Sequence, residues 1–239
     1  MMQNWNDRTV CLIGAEAAER LASARVLVVG IGGVGGYAAE MLARGGVGQI
    51  ALIDADTVSV TNLNRQIIAL RSTLDRSKVL LMKERIADIN PDCVVTPIEQ
   101  FLDTDGVDNL LDGGYDFVAD CIDTVAPKVA LLDACVRRHV RVISSMGAGG
   151  RLDPSAVRYA DLWETRQDGL ARAVRDRFKR MGRRPRLPVV YSSEAPKAPA
   201  LIREDGMSGK RTSFGTMAAI PSIFGIYIAS YIINKIISR

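Results

Sequence analysis

No metal-binding spacing and no paired pattern joins the cysteines of this sequence. Cys11, Cys93, Cys121 and Cys135 are scattered along it, which excludes a disulfide framework and suits a reducing, cytoplasmic setting. Cys93 and Cys121 fall in apolar, strand-like runs and read as inert core residues. Histidine is nearly missing. The one residue, His139, stands among Arg137, Arg138 and Arg141 and reads as a helix-end surface residue rather than a general base. Met1 to Arg8 is polar and no apolar run follows it, so no secretory signal peptide is expected. Neither charge sign dominates: 31 Lys and Arg stand against 27 Asp and Glu. With 48% hydrophobic and 24% charged residues over 239 positions, the chain suits a soluble protein with one substantial core.

What is present is concentrated between Arg25 and Gln66. An apolar strand, Val26 to Val29, runs into a glycine turn holding Gly30, Gly32, Gly33, Gly35 and Gly36. A helix is predicted from Tyr37 to Arg44, then a second apolar strand from Ile50 to Ile53 that ends on Asp54. Strand, glycine turn, helix, strand and acid is the context in which a GxGxxG spacing signals a nucleotide. Glycines let the backbone approach a phosphate, and the helix N-terminus offers it free N–H groups and a positive dipole end. Asp54 lies about 20 residues on, where a carboxylate accepts hydrogen bonds from ribose hydroxyls. Beyond it come Asp56, then Asn62-Leu63-Asn64-Arg65-Gln66, then Lys78. A pyrophosphate is held largely by backbone groups, whereas a triphosphate needs cations. Arg65 would supply a planar fork and Lys78 a point charge, with Asn62 orienting a phosphate oxygen or the reacting group. Further on, Asp123 follows the apolar run Phe117 to Cys121 and precedes a helix expected from Val125 to Arg138. It stands at a strand's carboxyl end, either capping the helix or facing a ligand.

The series GxGGxG, DxD, NLNRQ and lysine resembles the ubiquitin-activating superfamily of ATP-dependent adenylating enzymes. Nearly the whole chain is similar to its tRNA-modifying dehydratase branch. The marks are Arg8-Thr9, Ile89-Asn90-Pro91, the stretch Met146 to Gly150 leading to Asp153-Pro154, and Val189 to Glu194. The resemblance implies a Rossmann-like α/β fold, doubly wound on a mainly parallel sheet. It implies ATP held by Gly30, Gly32, Gly33, Gly35, Asp54, Asp56, Arg65, Gln66 and Lys78, with Mg2+ on Asp123. It also implies a homodimer in which Arg8 reaches the neighbouring triphosphate. The substrate implied is a threonylcarbamoyl-modified adenosine in the anticodon loop of tRNA, dehydrated by adenylation and ring closure. The alternative is adenylation of the C-terminal glycine of a small sulfur-carrier protein. Against that, the paired CxxC zinc site of the molybdopterin and thiamine branches is missing, as is a separate catalytic-cysteine domain. Thr212-Ser213-Phe214 stands where some members carry a cysteine, so no sulfur-transfer partner is supported.

The remainder reads as one domain over 1–239, with a nucleotide-binding core over 1–150 and a substrate-side α/β extension over 151–239. Strand and helix signals alternate from Val26 to Asp123, implying a parallel sheet. Helices are predicted over Ser77 to Ile89 and around Ala171 to Arg180, and further strands over Val94 to Ile98 and Arg141 to Met146. From Arg166 to Arg186 there are nine Arg or Lys and two acids, the footprint of a polyanion site. Little aromatic interleaving beyond Trp163 and Phe178 points to phosphate contact rather than base readout. Ser193 to Lys210 is proline- and glycine-rich and reads as a substrate lid. Phe214 to Ile237 is apolar enough to approach a membrane span, but Pro221 and Gly225 interrupt it. A buried closing helix is expected there, with peripheral membrane association the lesser alternative.

Overall fold

In the computed structural model, residues 4–197, 201–202 and 213–238 are described. Two short helices, α1 (Asp7–Ile13) and α2 (Ala15–Ser23), lead into β1 (Arg25–Val29). Then follow α3 (Gly35–Arg44), β2 (Gln49–Ile53), α4 (Lys78–Ile89), β3 (Val94–Ile98), α5 (Val107–Leu111), β4 (Phe117–Asp120), α6 (Val125–Arg137) and β5 (Val142–Ser145). The sequence pattern foresees most of these within a residue or two. Ser77 is the N-cap of α4, and Asn90-Pro91 ends that helix because proline has no N–H to continue it.

The seven strands of the main sheet lie in the order β3-β2-β1-β4-β5-β7-β6. Here β6 is Val157–Asp161 and β7 is Pro188–Ser192, joined through α7 (Gly169–Arg180). Strand β7 pairs parallel to β5, and β6 runs antiparallel at the edge. A small ribbon, β8 (Leu201–Ile202) with β9 (Ser213–Phe214), precedes the last helix, α8 (Ala219–Ile237). The lid expected over Ser193 to Lys210 falls largely outside the described residues.

Two apolar layers sandwich the sheet. On one face α2, α3, α4 and α8 cover Val26, Val28, Ile50 and Leu52. On the other, α5, α6 and α7 cover Leu27, Val29, Val118 and Val189. Successive β1 residues thus point to opposite layers, as the strand period of two demands. Helix α8 is long and apolar enough to cross a membrane. It instead packs along α3 and buries Ile220, Phe224, Ile228, Ala229, Ile232 and Ile236. Full burial of one such side chain is worth roughly 1.5–3 kcal/mol, which suits a core helix. Pro221 is tolerated because it lies in the first turn, where its missing N–H breaks no helical bond.

The sheet reverses winding between β1 and β4. At such a switch point the loops leaving the strands' carboxyl ends part, opening a crevice for a ligand.

Candidate active site

The glycine turn fills that crevice. Gly30 has a φ of +87°, a left-handed conformation that favours glycine, and its N–H donates to the Ile53 carbonyl. The helix starts at Gly35, earlier than the sequence pattern places it. A Cβ on Gly35 would lie 1.8 Å from the Gly30 oxygen, so only glycine lets α3 begin against the strand. Asp54 closes the turn. Its Oδ2 accepts the Ile31 N–H at 2.6 Å and its Oδ1 accepts that of Asp56 at 2.9 Å. The carboxylate therefore shapes the turn.

The NLNRQ segment lies over the turn. The Arg65 stem would touch a Cβ on Gly33 at 3.4 Å, and Gln66 Nε2 lies 3.9 Å from where a Cβ on Gly32 would be. Arg65 Nη1 donates to the Thr61 carbonyl and Asn64 Oδ1 at 2.8 and 3.1 Å. That holds one arm of the fork against its own segment. Gln66 is buried, and its Oε1 lacks a hydrogen-bond partner within the described chain. A buried amide oxygen of that kind calls for a donor from water or ligand. Asn62 is buried too, and its Oδ1 accepts the Ser59 N–H at 3.1 Å. That bond helps to fix the shape of the segment. Lys78 opens α4 with its stem buried, and its ammonium meets Asp56 Oδ2 at 2.7 Å. Fold and sequence thus bring together Gly30, Gly32, Gly33, Gly35, Asp54, Asp56, Arg65, Gln66 and Lys78. Arg8 stands apart, exposed on α1, a helix that packs on α2.

Asp123 lies beyond β4, in the link to α6, where Thr124 is the N-cap residue. The link is strapped to the turn: Cys121 N–H donates to Val29, and a Cβ on Gly30 would meet the Cys121 oxygen at 3.1 Å. Beneath it lies a group that sequence reasoning missed. Lys128 Nζ reaches Asp120 Oδ2 at 2.5 Å and Ser144 Oγ at 2.9 Å, and all three side chains are buried. The available signal was a lone lysine inside the apolar run Val125 to Leu132.

A second missed group stands where β5 leaves the sheet. Arg151 binds the carbonyls of Gly147, Gly149, Gln167 and Glu194, and pairs with Asp168. Asp168 also accepts the N–H groups of Gly147 and Ala171, capping α7. Burial pulls the Arg151 guanidinium below its usual range and pushes the Asp168 carboxyl up, while each partner's charge opposes the shift. Together they fix the loop Met146 to Gly150 beside the crevice.

The ThiF family model matches residues 6–239. The chain belongs to the ThiF family. Among ThiF-type relatives, the tRNA threonylcarbamoyladenosine dehydratase of Bacillus subtilis is 38% identical over 96% of this chain and 93% of its own. The crystal structure of the Escherichia coli tRNA N6-threonylcarbamoyladenosine dehydratase with ATP is also 38% identical. It superposes with a TM-score of 0.89 over 98% of this chain and 95% of that one. The molybdopterin-synthase adenylyltransferase of Salmonella typhimurium is 42% identical, but over only 58% of this chain and 54% of its own length. The mostly parallel α/β sheet expected from the motif series is thus the ThiF-type fold.

The basic stretch of this ThiF-type chain divides in two. Arg175 is half-buried, its Nη1 bound to the Leu162 carbonyl at 3.1 Å and to Thr165, so it braces the fold rather than awaiting a phosphate. Arg183 pairs with Asp133, and Arg184 lies over the Trp163 ring at 5.0 Å. Arg166, Arg172, Arg177, Lys179, Arg180 and Arg186 are exposed. Helix α7 begins beside Gly147 at the strands' carboxyl ends, and its basic last turn leads toward the start of β7 at the opposite edge. Cys93 is buried as the sequence implies, whereas Cys121 is half-buried. Burial pushes Cys93 up to about 11 and Cys135 to about 12, and raises Cys121 as well.

Proposed function

We propose that this protein dehydrates N6-threonylcarbamoyladenosine in tRNA to a cyclic form, using ATP. The observation that carries the reading is the glycine turn closed by Asp54 and roofed by Arg65 and Gln66. It stands in a chain similar from end to end to tRNA threonylcarbamoyladenosine dehydratases. ATP is the co-substrate. The threonyl carboxylate attacks the α-phosphorus and expels pyrophosphate, giving an acyl-adenylate. A nucleophilic atom of the substrate's own carbamoyl group then attacks the acyl carbon and releases AMP. Both groups sit on one small scaffold, so ring closure proceeds at high effective concentration and needs no enzyme nucleophile.

The chain's residues bind, orient and neutralise. The free N–H groups of the turn and the start of α3 face phosphate oxygens. Arg65 Nη2 and Lys78 offset charge developing between the α- and β-phosphates, with Lys78 leaving Asp56 as phosphate arrives. Among the described residues no three His, Cys, Asp or Glu side chains form a metal site. Magnesium is commonly held by one or two carboxylates plus substrate phosphates, so Asp123 fits as its protein ligand. When bound, Mg2+ supplies charge neutralisation to the phosphates. The protein acts as a cytoplasmic homodimer, with Arg8 completing the partner's site.

The competing reading, adenylation of a sulfur-carrier protein, is disfavoured because likeness to the molybdopterin-synthase adenylyltransferase stops at 58% of the chain. Mass spectrometry of tRNA nucleosides after incubation with protein, ATP and Mg2+ tests the proposal. Loss of one water from threonylcarbamoyladenosine, with release of AMP, is expected. Intact nucleoside alongside an adenylated carrier glycine would overturn it.

A further inference from the structure

We infer that Lys128 is a positioning residue for the Asp123 loop, acting through Asp120. The inference rests on the reading of Asp123 as the magnesium ligand. Lys128 and Asp120 are each fully buried, with side-chain exposures of 0% and 0%. Burying two opposite charges costs desolvation that their attraction only partly offsets, and apolar replacements are often as stable. Stability alone therefore does not account for the pair, and its hydrogen bonds show what else it does. Asp120 Oδ1 accepts the Ile122 N–H at 3.1 Å, within the link that carries Asp123. Its Oδ2 takes Lys128 at 2.5 Å and Ser144 Oγ at 2.6 Å.

Side chains on a helix lean toward its N-terminus. Lys128, in the first turns of α6, thus reaches back to the strands' carboxyl ends and joins α6 to β4 and β5. The same link is pressed against the glycine turn, since a Cβ on Gly35 would meet Cys121 Cβ at 3.2 Å. Lys128 locks the Asp120 carboxylate, Asp120 holds the Ile122 N–H, and the loop has one placement relative to the phosphate-binding turn. Partners of this kind behind a metal ligand typically change metal affinity by about 10–100-fold when removed.

The test is ATP binding by the full chain, by calorimetry in EDTA and across a Mg2+ series, with thermal melts to establish folding. Lys128→Met is expected to bind ATP in EDTA like wild type but to need about 10–100-fold more Mg2+ for half-maximal tightening. Lys128→Met combined with Asp120→Asn should return toward the wild-type midpoint. The amide introduced by Asp120→Asn can still accept from Ile122 and donate to Ser144, and no lone charge is left buried. A role confined to stability moves the melting temperature and not the Mg2+ midpoint. Should Lys128→Met fail to fold, Ser144→Ala keeps the ion pair and is expected to shift the midpoint roughly threefold, the worth of one modest hydrogen bond. A wild-type midpoint in folded Lys128→Met, or in Ser144→Ala where it stands in, overturns the inference. Asp123→Ala separates the two readings. If it keeps the wild-type midpoint, the magnesium role of Asp123 falls; if it loses the response and the Lys128 variants do not, only the positioning role falls.

Discussion

Gly35 faces Gly30 so closely that a methyl group on it would lie 1.8 Å from the Gly30 carbonyl oxygen. Backbone blocks backbone, so no rotamer relieves the clash. Gly35→Ala is expected to lose about 1–3 kcal/mol of stability, as overpacking does, together with ATP binding. Gly32→Ala makes the contrast. Its Cβ would meet only Gln66 Nε2, at 3.9 Å, so it should melt like wild type and still lose ATP affinity because the methyl group obstructs the ligand. Thermal melts paired with ATP titrations read both; a Gly32→Ala variant that binds normally would move the phosphate away from the turn.

Arg65 has one arm tied to Thr61 and Asn64 and the other available. Arg65→Ala should lower kcat about 10²–10³-fold, or about 2.7–4 kcal/mol, the usual cost of removing one donor to developing charge. Arg65→Lys should recover little, because a point charge cannot replace the fork. Full single-turnover adenylation in Arg65→Ala would remove this residue from the mechanism.

The first strands of the sheet were legible for a physical reason. Glycines and prolines punctuate five-residue apolar runs there, so period and boundary agree. The five-residue helix α5 is too short for a periodic signal, and β6 presents exposed Arg158 and Tyr159 at a sheet edge, where alternation breaks down. At the site, the gathering of Arg65 and Gln66 over the glycine turn was legible because the motif series places those residue types at a fixed spacing after it. Lys128, Arg151 and Arg175 were not. A cation in the sequence reads as solvated or anion-seeking, and only tertiary structure reveals that Arg151 and Arg175 spend their N–H groups on backbone carbonyls.

Arg8, exposed on α1, is proposed to serve the partner's site. Mixing inactive Arg8→Ala subunits with inactive Asp123→Ala subunits should restore partial activity, since each heterodimer then holds one intact site. Failure to recover after subunit exchange, followed by mass spectrometry of differently tagged chains, would put Arg8 in its own subunit's site or in none.

The exposed arginines and the bracing one separate in experiment. Arg177→Ala with Arg180→Ala should weaken tRNA binding evenly across tRNAs and flatten its salt dependence. Each lost phosphate contact removes about 0.7–0.9 from the log–log slope. Arg175→Ala should instead lower the melting temperature, because it strips hydrogen bonds from Leu162 and Thr165. A salt slope unchanged by the first pair would make that face merely solvated.

Thiol chemistry provides a further check. Cys93 and Cys135 are buried and Cys121 is half-buried, and desolvation raises all three thiols, while Cys11 is exposed. Maleimide at neutral pH should label Cys11 alone, and in Cys11→Ser it should label nothing and leave turnover intact. Inactivation of Cys11→Ser by the reagent would point to an enzyme thiol in the reaction.

The final helix meets α3, the helix that follows the glycine turn, backbone to backbone. A Cβ on Gly225 would lie 2.3 Å from the Val34 carbonyl oxygen and 2.8 Å from Tyr37 Cβ. The two segments lie far apart in the sequence, so their meeting closes a long loop. Contacts of this separation carry a large loop-closure cost and are slow to form. Until α8 docks, the glycine turn lacks its supporting wall and α3 keeps an uncovered apolar flank. A chain in which α8 has not yet docked on α3 is therefore exposed to aggregation along that flank.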